Sequence, residues 1–181
     1  DYYNVDDEFG DWKDIINISK RFRVMADVVI NHGSSEGVWF KNFIKGEGRG
    51  HDYFLSFDNT FDITEVVRPR TSPLLNTFDT HDGTRYLWCT FSKDQVDYNF
   101  NNPKVINEFV EIILYYLKMG ITIFRFDAVA FLWKRIGTSC MNLEKTHEII
   151  RLFRTIIDYL SPYTVLVTET NTPAAENVSY F

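Results

Sequence analysis

Cysteine is scarce: Cys89 and Cys140 are the only two in 181 residues, and neither sits in a CxxC or Cys/His ligand spacing. A disulfide framework and structural zinc are therefore not expected, and two reduced thiols in a cytoplasmic protein are. No apolar run comes near the ~20 residues that a membrane-crossing helix needs, and no charged-then-apolar leader opens the chain. Neither a membrane span nor a signal peptide is expected. Clusters of Lys or Arg are missing too: 19 basic residues against 25 acidic ones give a formal charge of −6, which speaks against nucleic acid or an anionic membrane as the main partner. What is present is 45% hydrophobic residues, ample for a packed core and too much for disorder. The chain begins at Asp1 without Met and reaches Phe181 with no change of character, so it reads as a piece of something longer.

Asp11 is a plausible N-cap for a first helix carrying Trp12, Ile15, Ile16 and Phe22 at helical spacing. Val24 to Ile30 is almost continuously apolar, broken only by Asp27, as in a strand buried on both faces of a parallel sheet. From 33 to 101 the regularity is lost among Gly, Pro and short aromatic stretches. An inserted excursion domain is expected there, between a barrel part at 1–32 and a second barrel part at 102–181. Asn102-Pro103 opens a helix that Gly120 closes, and Ile121 to Asp127 is a second strand. A further helix stops at Pro162, and Val165 to Glu169 is a third strand. Helix, strand, insertion, helix, strand, helix, strand implies βαβ units and parallel strands.

Residues at the carboxyl ends of parallel strands collect on one rim of the sheet. The three ends read DVVINH (27–32), FRFDA (124–128) and TETN (168–171). Alternation puts Arg125 and Asp127 on one face, so two carboxylates from neighbouring strands, Asp127 and Glu169, can oppose one another. Arg125, two residues before Asp127, is expected to keep that carboxylate charged. Glu169 has no cation beside it in sequence, so its protonated form is expected to be favoured. Unequal environments for two carboxyls suit glycoside cleavage by a nucleophile and a general acid, which retention of configuration places about 5 to 5.5 Å apart.

These three strings resemble the first three conserved regions of the α-amylase family, glycoside hydrolase family 13. YLWCTFSKDQVD (86–97), GTSC (137–140) and RPRTSPLL (68–75) are similar to the subfamily of sucrose phosphorylase and glucosylglycerate phosphorylase, and the last of them, with Phe131-Leu-Trp133, is closer to the glucosylglycerate branch. The resemblance implies an α/β fold, a partial (β/α)8 TIM barrel holding its third to fifth strands, with the first strand before Asp1 and the fourth conserved region after Phe181. The segment alone is then expected to be inactive, unstable and prone to aggregate through open sheet edges. It implies a retaining phosphorylase that passes α-glucosyl from sucrose or glucosylglycerate to phosphate through a covalent β-glucosyl-aspartate, in carbohydrate metabolism. Asp127 becomes the nucleophile, Glu169 the acid and base, and Arg125 the residue that orients the nucleophile. Asp1 and His32 are matched to sugar-hydroxyl contacts. Phe131, in Ala130-Phe131-Leu132-Trp133 where sucrose phosphorylases carry Gly-Tyr, points to a different acceptor pocket. Arg68 and Arg70 are candidates for phosphate or a carboxylated acceptor. No cofactor is implied beyond phosphate as co-substrate. Asn31 matches a calcium position of some amylases, but the phosphorylase branch implies no metal. Small sugars and phosphate are the expected partners.

Other readings stay open. The same family contains α-glucoside hydrolases, transglucosidases and barrels that have become inactive scaffolds. Gly33-Ser34-Ser35-Glu36-Gly37 satisfies the GxSxG pattern of a serine esterase, which needs a helix at once after it, whereas Val38-Trp39-Phe40 reads as a short apolar turn. Tyr86 and Trp88 read as core of the insertion, and His51, His81 and His147 as surface or loop residues.

Overall fold

The computed structural model describes residues 1–170 and 172–180; Asn171, the last residue of TETN, and Phe181 lie outside the described residues. In chain order the elements are α1 (Trp12–Ser19), β1 (Val24–Val29), β2 (His32–Ser34), α2 (Val38–Lys45), β3 (Ser56–Phe57), β4 (Leu75–Thr80), β5 (Gly83–Trp88), β6 (Gln95–Asp97), α3 (Pro103–Lys118), β7 (Ile121–Asp127), a 3-10 turn (Val129–Phe131), α4 (Glu144–Leu160), β8 (Val165–Thr168) and α5 (Ala174–Val178). They form two compact units: Asp1–Ile30 with Ile106–Val129 and His147–Phe181, and Asn31–Val105 with Ala130–Thr146.

The first unit is built on a parallel sheet in the order β1-β7-β8. Strand alternation sorts its side chains. Val28, Phe124, Phe126 and Leu166 are buried, and Phe126 meets Phe153 of α4 edge-on. Met25, Val165 and Val167 remain largely exposed on the other face. Asp11 caps α1 by accepting from the amides of Lys13 and Asp14, while the Asp14 carboxylate accepts from the amide of Asp11. The helix ends at Ser19, so Phe22 is not part of it and is 67% exposed. Gly120 follows α3 at φ +89°, and a Cβ there would come within 2.3 Å of the Ser19 hydroxyl, so only glycine fits this closure.

The second unit contains an antiparallel sheet β3-β5-β4 and a ribbon of β2 with β6. Trp88, Leu74, Val66 and Cys140 form a buried cluster, with Phe57 and Phe61 packed on it. Trp88 is thus a core residue, and Tyr86 is half-buried. Both cysteines are free and buried, and burial pushes the Cys89 thiol up to about 12. Residues 130–146, assigned above to the barrel part, are grouped with this unit; the amide of Val67 donates to the carbonyl of Ser139 at 2.9 Å. The segment after Gly37 is an eight-residue helix, not a short apolar turn, and Gly46 ends it at φ +72°. Among the described residues no helix is long and apolar enough to cross a membrane.

Candidate active site

In the first unit the register sets Asp27 opposite Arg125, Val29 opposite Asp127 and Phe126 opposite Thr168. Asp127 is therefore the last residue of the central strand. Glu169 directly follows β8, and its amide donates to the carbonyl of Phe126 at 2.8 Å. The two carboxyls meet there, close enough to share a hydrogen bond. Arg125 Nη2 lies 2.9 Å from Glu169 Oε2, and its Nη1 pairs with Asp27 while standing 3.9 Å from Asp127 Oδ1. Three carboxylates thus surround one guanidinium.

This arrangement corrects two expectations. Arg125 contacts Asp27 and Glu169 more closely than Asp127, because lateral neighbours in a sheet stand about 4.8 Å apart while residues i and i+2 on one strand are about 6.6 Å apart. The proton is correspondingly distributed the other way. Burial, then the Glu169 carboxyl, push Asp127 up to about 7, while the hydrogen bond from Asp127 and the Arg125 guanidinium hold Glu169 below its ordinary value. Chemically, the pair holds one proton and one negative charge, the complement of a double displacement. Ala128 follows at φ 57°, a left-handed conformation that costs a residue with a Cβ about 1–3 kcal/mol and turns the chain away after Asp127.

Asp1 spends its carboxylate on a local turn, accepting from the amide of Tyr3 at 2.9 Å and from Asn4 Nδ2 at 2.6 Å. In the second unit His32 is buried, with Gln95 Nε2 at 2.9 Å from its Nε2, Asn31 Nδ2 at 3.4 Å from its Nδ1, and Phe91 against its ring. Burial lowers its pKa, favouring the neutral imidazole. Phe131 packs edge-on against Phe91 at 5.6 Å. Arg68 and Arg70 are exposed; their guanidinium groups donate to the carbonyls of Ser72 and Pro69.

The sequence reading did not identify a buried polar cluster in this unit. Asp97 is 0% exposed and accepts from the Thr90 amide at 2.8 Å, the Thr90 hydroxyl at 2.6 Å, Asn31 Nδ2 at 2.9 Å and Lys134 Nζ at 2.7 Å. Lys134 also donates to Asn31 Oδ1 at 2.9 Å, so an ammonium serves both oxygens. Nothing local in the sequence links positions 97 and 134. His147 is another correction: it is 5% exposed on α4, against the Glu176 carboxylate at 3.0 Å. Ser35 donates to Asp94 at 2.7 Å and is not among the residues with positive φ, so it lacks the strained turn of a nucleophile elbow.

The α-amylase catalytic-domain profile matches residues 1–181. A glucosylglycerate phosphorylase of Escherichia coli is 46% identical over 182 residues, covering 100% of this chain and 33% of that protein. One from Allomeiothermus silvanus is 45% identical over 181 residues, covering 100% and 33%. The crystal structure of a sucrose 6F-phosphate phosphorylase from Thermoanaerobacter thermosaccharolyticum superposes with a TM-score of 0.83 at 27% identity, over 94% of this chain and 38% of that one. The chain spans about a third of the length of the curated relatives it matches. Parallel strands, their opposed carboxyls and these matches together show that the chain belongs to the α-amylase family, as part of its TIM-barrel catalytic domain.

Proposed function

We propose that the protein containing this chain is a retaining α-glucoside phosphorylase acting on glucosylglycerate. The observation that carries this reading is the placement of Asp127 and Glu169 at the ends of adjacent parallel strands, with the Arg125 guanidinium 3.9 Å from the one and 2.9 Å from the other. Identity of 45% and 46% to glucosylglycerate phosphorylases supports the choice of glucoside.

The sugar's anomeric carbon enters between the two carboxyls. As the sugar parts the pair, the proton held on Asp127 passes to Glu169; the freed Asp127 Oδ then attacks the carbon from one side as the glycosidic C–O bond breaks, and Glu169 gives that proton to the departing glycerate oxygen. Arg125 compensates the charge that remains on Asp127 once the pair is parted. A phosphate oxygen then attacks the same carbon, the C–O bond to Asp127 breaks, and the Glu169 carboxylate takes the phosphate proton. Two inversions leave α-glucose 1-phosphate. Asp1, His32, Phe131, Arg68 and Arg70 are proposed to contact substrate groups, on the strength of the family resemblance. No cofactor or metal enters this scheme, small sugars and phosphate are its partners, and the cytoplasm is the proposed location.

The test is to incubate the full-length protein with glucose 1-phosphate and, separately, glycerate, fructose or water, and to follow phosphate release. Release with glycerate is expected. Release with fructose alone would move the protein to the sucrose branch, and release with water alone would make it a hydrolase.

A further inference from the structure

Glu169 stands on a segment with little regular structure after β8, yet a general acid must be held to within a fraction of an ångström. The side chain of Asn177 supplies a means. Its Oδ1 accepts from the hydroxyl of Thr168 at 3.2 Å and from the hydroxyl of Thr170 at 2.9 Å. These threonines flank Glu169. In extended backbone, residues on either side of a position point to the face opposite its own side chain. Pinning both hydroxyls to one oxygen therefore fixes the peptide planes that aim Glu169 at Asp127, while its amide is held by the carbonyl of Phe126 at 2.8 Å.

Asn177 sits on α5, only five residues long and too short to be stable alone. Its anchor is His147 of α4. The imidazole lies 3.0 Å from Glu176 Oε1 and stacks on the fully buried ring of Tyr180 at a centroid distance of 4.0 Å. The Ser179 hydroxyl closes the end of α5 by donating to the Glu176 carbonyl at 2.6 Å. A continuous set of contacts so runs from α4 through α5 to the acid.

We propose that Asn177 is a positioning residue for the general acid, acting through the hydroxyls of Thr168 and Thr170 and backed by the His147–Glu176–Tyr180 anchor. The proposal rests on the reading of Glu169 as the acid given above. Asn177 touches no reacting atom in this scheme, so its loss should weaken the proton transfers of Glu169 and spare the attack by Asp127.

The experiment compares the full-length wild type, Asn177→Leu, Asn177→Asp and the double variant Thr168→Val/Thr170→Val. Each is assayed in phosphate with glucosylglycerate, whose leaving oxygen needs a proton, and with α-glucosyl fluoride, whose leaving group does not. Misplacement of a catalytic group by about 1 Å costs on the order of 100-fold. Asn177→Leu and the double threonine variant are expected to lose about 10- to 100-fold in the first turnover of glucosylglycerate and less than about 3-fold in the first-turnover release of fluoride, at similar KM. Asn177→Asp, which keeps an acceptor oxygen, should recover most of the rate. Equal losses on both substrates, or no loss in a folded variant, would overturn the proposal. Should Asn177→Leu fail to fold, the threonine pair decides by the same criterion. Failure of the wild type itself to use either donor would instead refute the phosphorylase reading.

Discussion

Asp97 and Asp127 each belong to a cluster of oxygens around one basic side chain, and the two are held in opposite ways. Asp97 is wholly buried and receives four hydrogen bonds, one of them from the Lys134 ammonium. Asp127 keeps 24% of its side chain exposed, faces another carboxyl and stands 3.9 Å from Arg125, which Asp27 and Glu169 contact more closely. The contrast separates structural charge from reactive charge. A carboxylate whose lone pairs are all satisfied by fixed donors has no reason to change partner. One that shares a proton with a neighbour at neutral pH is ready to do so.

The contrast is broken most severely by exchanging the outcomes of removal. In the full-length protein Asp127→Asn is expected to lower kcat about 10⁴-fold or more, roughly 5.5 kcal/mol or more of barrier, without loss of folding stability. Steady-state rates alongside urea unfolding check both parts. Lys134→Met should do the reverse: leaving Asp97 buried without its cation costs about 3–5 kcal/mol in urea unfolding, with the folded fraction still turning over.

Glu169→Gln sharpens the same comparison within the reactive pair. General acid catalysis supplies about 10²- to 10⁴-fold, so the first turnover of glucosylglycerate should fall by that factor while first-turnover release of fluoride from α-glucosyl fluoride is largely spared. Equal damage to both donors would remove Glu169 from the role of acid.

The smallest effect is a pH dependence. With Asp127 raised to about 7, the free enzyme holds one proton on the pair below that pH and none well above it. kcat/KM is therefore expected to fall as pH rises through about 7, and this limb should vanish in Glu169→Gln, where the neighbouring negative charge is gone. Stability follows the same sign. A carboxyl whose folded pKa lies above its ordinary value of 3.8 stabilises the fold at low pH, and that contribution is lost as pH rises through about 7. The melting temperature of Asp127→Asn relative to wild type should climb between about pH 4 and 7, read by calorimetry in a buffer series.

Helix starts and the end of the central strand were legible in the sequence because they rest on local chemistry, whereas the end of α1 was not, since Phe22 keeps the helical spacing but lies beyond Ser19. Asp11 announces the N-cap of α1, Asn102-Pro103 opens α3, and the apolar run from 121 ends on Asp127 as β7 does. The partners of Arg125 were not legible, since sequence proximity favoured Asp127 whereas pairing in a sheet is lateral; Asp27, the one charge inside an apolar strand, was the available clue. The Asp97–Lys134 pair and the Asn177 contacts join positions whose proximity depends on the whole fold, so no local pattern encodes them. His147 was misread for the same reason: its burial is created by Tyr180 and Glu176, more than a full helix away in sequence. Strand ends and alternation already paired Asp127 with Glu169, and the resemblance to family 13 agreed, but which of the two favours its protonated form depends on burial and on the contacts each carboxyl makes in the fold.

The most direct measurement is to trap the glucosyl-enzyme. Full-length Glu169→Gln, incubated with a 5-fluoro-α-glucosyl fluoride and digested, should yield one peptide heavier by a fluoroglucosyl group, with the ester on Asp127. An ester on any other residue, or turnover of the fluoride with no covalent adduct at any time, would contradict the assignment of Asp127 as the nucleophile.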